Sequence, residues 1–325
     1  MGFLLTSLVL VGVVSALPAP PPSSQSRLAT LEKLMPTSPG GHGRPGADRA
    51  FWNAQASEFP GILARAEKLI DEPIPEIPDE LYLEYSRNGN RTRYQDAAGS
   101  RRGRLTPLVL AEVLEWKGRF VPAIERLVDA LSKERTWVLP AHDGNLLNFN
   151  GKQIDIDLVS ARMGHELALT HWLLGEKLSP GTRSLIRTEV EKRVLGPFRK
   201  MMRGERPHNW WIDTTNNWNS VCLAGVIGAG LALSESKAER AIWVESAERF
   251  APNFLAGFTP DGYCSEGIGY WNYGFNHFLQ LAELLAETTG GKVDLMARKD
   301  ALAPSLYGRR IMMTDSIGPA YADCA

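Results

Sequence analysis

Apolar residues recur at three- and four-residue spacing along most of the chain after about residue 48, and this period predicts helix after helix. The segments that carry it are Ala47 to Ile70, Leu105 to Lys133, Leu158 to Leu174, Thr182 to Met202, Trp218 to Leu233, Lys237 to Phe258, Gly269 to Thr288 and Val293 to Tyr307. No convincing strand pattern stands beside them. The stretches between are rich in Gly, Pro, Asn and Asp, as in Pro140 to Asp155, Pro207 to Asn217 and Thr259 to Gly269. Short returns on one side and long aromatic-rich connections on the other predict an all-α stack of helical hairpins, either a solenoid or a closed ring. No repeated signature selects a standard solenoid family.

The amino-terminal segment is expected to lie outside this fold. Phe3 to Val14 is uncharged and mostly apolar, and Val14-Ser15-Ala16 is a small-x-small cleavage pattern, so residues 1–16 read as a signal peptide. The run is too short for a comfortable membrane span, and nothing later resembles one, so a secreted or periplasmic protein is expected. Pro18 to Ser26 and the breaker-rich Pro36 to Gly46 make residues 17–46 a linker, with the helical domain filling 47–325. Near-equal counts of 36 Lys+Arg and 37 Asp+Glu argue against a nucleic-acid partner. Cys222 and Cys264 can pair in an oxidising compartment or stay as free buried thiols. Asn90-Arg91-Thr92 is a glycosylation sequon.

The long connections carry the candidate chemistry: His142, Asp143, His208, Trp210, Trp211, Asn216, Asn217, Trp218, Tyr263, Glu266, Tyr270 and Trp271. Flat apolar rings stack on pyranose faces, while amides, carboxylates and imidazoles take hydroxyls, so this set suits a sugar-binding cleft. Thr214 to Asn219 precedes an apolar helix. Its amides can cap that helix or hold an acidic sugar group. Farther on, Tyr270, Tyr273 and His277 stand at i, i+3 and i+7 and share one helix face. Tyr273, near the helix start and beside glycines, reads as functional, and the deeper His277 reads as a core residue.

Asn216-Asn217-Trp218-Asn219-x-Val221-Cys222, paired with the downstream run Pro260-Asp261-Gly262 … Glu266-Gly267 … Tyr270-Trp271-x-Tyr273-Gly274, resembles the helical domain of heparinase II/III-type polysaccharide lyases and related alginate lyases. The resemblance extends from about Ala47 to the C-terminus and takes in Leu139 to Asp143 and Ile154 to Leu158. It implies an incomplete (α/α) toroid, ordinarily followed by a β-sheet domain that this chain would lack, and β-elimination at a uronic acid. Asn217, then Asn216, would neutralise the uronate carboxylate, and Tyr273, with Tyr270 in reserve, would act as base, acid or both. A phenolate needs a nearby positive charge, for which His208 or Arg206 is available. Relatives often carry His where this chain has Trp218, so that either His208 takes over its role or the chemistry is altered. Trp211, Trp218, Trp271, His142 and Glu266 would join Asn216 in binding the acidic polysaccharide.

Other readings stay open. A glycoside hydrolase needs two facing carboxyl groups, for which Asp143, Asp213, Asp261 and Glu266 are available; a non-catalytic glycan-binding domain needs only the aromatic cleft. The scattered histidines make a metal site in this chain unexpected, any family metal belonging to the β-domain.

Overall fold

The structure, a computed structural model, describes residues 25–314 and 317–322, so the expected signal peptide lies outside the described residues. These fold into α1 (Gln25–Leu34), α2 (Arg49–Gln55), α3 (Ile62–Asp71), α4 (Asp79–Asn88), α5 (Thr92–Arg102), α6 (Leu105–Glu115), α7 (Val121–Ser132) and α8 (Leu158–Leu174). There follow α9 (Pro180–Val190), α10 (Gly196–Met202), α11 (Asn217–Leu233), α12 (Lys237–Leu255), α13 (Ile268–Thr289), α14 (Leu302–Ser305) and α15 (Tyr307–Ile311). No strand occurs among the described residues, and the fold is all-α. None of these helices is long and apolar enough to cross a membrane.

The core is organised by α11. This helix has no polar face, so it must be enclosed on all sides, and α8, α12 and α13 enclose it. Contacts continue outward from α8 to α6 and from α6 to α3, while α7 and α9 return beside α6 and α8. Glycines let α11 approach its neighbours closely. A Cβ at Gly225 would lie 2.6 Å from the Ala161 carbonyl, and one at Gly228 would lie 2.5 Å from Nε2 of His165.

Those contacts also fix direction. Ala161 and His165 ascend α8 as Gly225 and Gly228 ascend α11, and Gly274 near the start of α13 packs on Asn217 at the start of α11. The three helices therefore run parallel, with their N-termini at one end. The long connections before α8, α11 and α13 meet there.

Several boundaries differ from the sequence pattern for identifiable reasons. The helix expected over Ala47 to Ile70 is split at Pro60-Gly61, where Gly61 takes φ 76°. The one expected over Leu105 to Lys133 ends at Trp116 with φ 59°, and the buried Glu112 carboxylate accepts Gly118 N at 2.6 Å and Phe120 N at 3.2 Å before α7 starts. Thr182 to Met202 is continuous through a π turn, Glu191–Leu195. Val293 to Tyr307 holds only short helical turns around Pro304.

The described part of the expected linker is structured. Leu31 and Met35 in and after α1 are buried, and α1 lies against α12 and α13. After it, residues 36–46 form a strap tied by Gly40 N to Leu231 O at 3.1 Å and by Gly46 N to Leu173 O at 2.8 Å. Helices α4 and α5 have no counterpart in the apolar pattern because their buried side chains are Tyr82, Tyr94, Ala98 and Arg102.

Candidate functional site

The end at which α8, α11 and α13 begin is built around a buried carboxylate. Asp157 caps α8 by accepting Ser160 N at 2.7 Å, and its other oxygen accepts Leu139 N at 2.9 Å and faces Nδ1 of His142 at 2.7 Å. Burial works against its charge, but these partners outweigh it and hold Asp157 below the ordinary carboxylate range. An ionised carboxylate only accepts, so Nδ1 of His142 carries a proton, and the ring that is unprotonated at Nε2 presents that nitrogen as an acceptor. The His142 ring meets Trp218 edge-on at 4.6 Å, and Trp210 lies 4.7 Å beyond Trp218, with more than half its surface exposed. These rings, with His208 and Asn209, line a cavity of about 420 Å³.

The asparagines divide their work. Asn216 is the N-cap of α11, accepting Trp218 N at 3.1 Å, and its side-chain NH2 has no partner among the described residues. Asn217 is buried and already engaged: its Nδ2 donates to Glu266 at 2.8 Å and its backbone N at 3.1 Å. Asn219 is core, donating to the carbonyls of Trp211 and Ile212 at 3.3 and 2.9 Å. Asn216 is thus the more available amide, the reverse of the order expected from the motif. Glu266 serves α11 by holding Asn217, rather than standing free for a ligand.

On α13 the predicted stripe is present. Tyr270 and Tyr273 are exposed to equal degree, His277 is half-buried, and among the described residues none hydrogen-bonds the Tyr273 hydroxyl. Nδ1 of His277 donates to the Tyr273 carbonyl at 2.7 Å, and the two rings meet at 4.9 Å. Burial raises the Tyr273 phenol above its ordinary value; the Arg162 charge opposes that, while the neighbouring Asp157 adds to it. Arg162, on α8, is more than half exposed and only loosely paired with Glu166 at 3.6 Å. It is the cation beside Tyr273, whereas Arg206 is taken up by Asp155 at 3.0 Å and His208 by Asp213 at 2.9 Å.

Two expected substrate contacts prove to be packing residues. Trp211 is wholly buried, stacks on Phe198 and donates its indole N–H to Ile156 O at 2.6 Å, so it supports the cavity from beneath. Trp271 turns toward the C-terminal segment, donating to Pro304 O at 2.9 Å and packing on Tyr307. The carboxylates proposed for hydrolysis are likewise committed locally. Asp143 is buried and accepts from Tyr82, Asn148 and Phe149, Asp261 closes a turn with Thr259 and Tyr263, and Asp213 holds His208. Cys222 and Cys264 are separate buried thiols. Among the described residues no metal-ligating group of three His, Cys, Asp or Glu forms.

Arg162 was not among the residues singled out by motif. Its signal is a polar stripe on an otherwise apolar helix, with Arg162, His165 and Glu166 at i, i+3 and i+4. No protein-family model matches the chain, and no curated protein matches it.

Proposed function

We propose that the chain is a polysaccharide lyase acting by β-elimination on a uronic-acid-containing polymer, exported from the cell, its helical array forming part of an (α/α) toroid. One observation carries the reading: the Asp157–His142 pair stands against Trp218 at the end where Asn216, Arg162 and the unpartnered Tyr273 phenol lie on adjoining parallel helices. His142, rather than His208, supplies the imidazole that Trp218 displaces from the motif.

In this mechanism Arg162 and the Asn216 amide neutralise the uronate carboxylate, which lets C5 give up its proton. Nε2 of His142 takes that proton. The C5–H electrons form the C4=C5 double bond as the C4–O bond breaks, and the Tyr273 hydroxyl protonates the departing oxygen. The raised pKa of Tyr273 suits an acid that must hold its proton at neutral pH. Trp210 and Trp218 provide stacking faces for the sugar rings. No water is consumed, so new chain ends formed in heavy-oxygen water should carry an ultraviolet-absorbing unsaturated ring and no heavy oxygen. Saturated, labelled ends would instead identify a hydrolase, and binding without either product a glycan-binding domain.

A further inference from the structure

Below Tyr273 a second cavity of about 370 Å³ runs between α8, α11 and α13. Arg162, His165 and Glu166 line it from α8, His277 and Gln280 from α13, and His42 from the strap. We infer that this cavity holds the terminal sugar residue of a uronic-acid chain, so that cleavage proceeds from a chain end; this rests on the lyase reading.

The strap bounds one end of this cavity. Gly40 is tied to Leu231 and Gly46 to Leu173, in the last turns of α11 and α8, so the strap crosses the C-terminal ends of the helices whose N-termini form the site. His42, between those ties, meets the His165 ring at 5.6 Å. A chain entering past Tyr273 meets this strap where His42 lines the cavity, an obstruction that an end of a polymer fits and its middle does not.

The lining suits one pyranose unit. The volume is at the small end of ligand cavities, and Leu169 and Val221 give an apolar wall between polar groups. Nε2 of His165 is sealed against Gly228 without a hydrogen-bond partner, which leaves Nδ1 as the nitrogen available to a ligand. Nδ1 of His277 is committed to the Tyr273 carbonyl, so its Nε2 is an acceptor for a hydroxyl. Nδ1 of His165 has no hydrogen-bond partner among the described residues, and a sugar hydroxyl supplies one.

The test uses the whole chain with glucuronate, galacturonate, mannuronate and guluronate as probes, followed by calorimetry and by imidazole nitrogen NMR. One of these should bind and shift the His165 signals, and Gln280→Trp, which fills the cavity from a half-buried position, should weaken binding about tenfold or more. His165→Phe should do the same. Failure of all four to bind, or equal binding to Gln280→Trp, overturns the site. Products from heparan sulfate, chondroitin or alginate then separate the two readings. A single short unsaturated product from the first time points supports chain-end action, whereas a ladder of long unsaturated products overturns it and leaves elimination standing. Hexuronate bound at His165 with no unsaturated product from any polymer overturns elimination and keeps the cavity as a sugar site.

Discussion

Nδ1 of His142 lies 2.7 Å from Oδ2 of Asp157, a carboxylate removed from solvent that also anchors the start of α8. The pair joins the frame of the fold to the ring that faces the cavity. Replacing Asp157 with Asn keeps an oxygen for Ser160 N but takes away the acceptor that fixes the His142 tautomer. Asp157→Asn should therefore lower kcat by roughly a hundred- to ten-thousand-fold and stability by about 1–3 kcal/mol. Steady-state kinetics and urea unfolding measure the two effects; unchanged kcat in a folded variant would remove His142 from the chemistry.

Glu266 is assigned to holding Asn217. Glu266→Ala strands a buried amide and the backbone N–H of Asn217, and about 1–3 kcal/mol of stability should be lost. A variant as stable as the parent, with only KM raised, would return Glu266 to the ligand side.

Arg162 is exposed, and its pairing with Glu166 is too long to matter much for stability. Arg162→Gln should leave the unfolding midpoint nearly unchanged while kcat/KM on uronate polymers falls about ten- to a hundredfold, the worth of one charge-assisted contact. Equal activity on such polymers before and after substitution would show that the carboxylate is bound elsewhere.

Acid should loosen the fold before the carboxylates titrate. Burial pushes His165 down to about 3, with His42 and His277 adding to it, and pushes His171 down to about 4, with Arg187 and Arg183 adding to it. The unfolded chain binds these protons near pH 6.5 and the folded chain does not, so stability falls as pH drops from about 6.5 toward 4. Asp157, held low in the fold, contributes stability above its unfolded value near 3.9 and loses it as pH falls further. Thermal melting between pH 7.5 and 4 should show the first decline, and His165→Phe should flatten it. A melting temperature constant across that range would contradict the burial of these imidazoles.

Much of the architecture was legible in the chain. Helices such as Leu158–Leu174 and Asn217–Leu233 announce themselves because burial is periodic on one and continuous on the other. The aromatic connections were also legible as a group, since Trp210, Trp218 and the tyrosines of α13 are unusual in loops and at helix starts. Burial was not. Trp211 and Trp210 are neighbours of one type, yet one is sealed in the core and the other is the most exposed tryptophan in the cavity wall, a difference set by the Phe198 and Ile156 contacts. Pairings between distant segments were equally hidden: Glu266 with Asn217, His142 with Asp157 and Trp218, and the strap with α8 and α11 depend on tertiary docking rather than on local pattern.

Elimination through Tyr273 is the central claim, and Tyr273→Phe isolates it because the hydroxyl it removes has no partner among the described residues and the ring is well exposed. The most direct measurement is the rate of ultraviolet-absorbing product formation from uronate polymers by the parent chain and this variant, with unfolding midpoints measured alongside. The expected result is product from the parent and a roughly hundred- to ten-thousand-fold slower rate from an equally stable variant. Equal rates from the two proteins, or no unsaturated product from the parent on any uronate polymer, would contradict it.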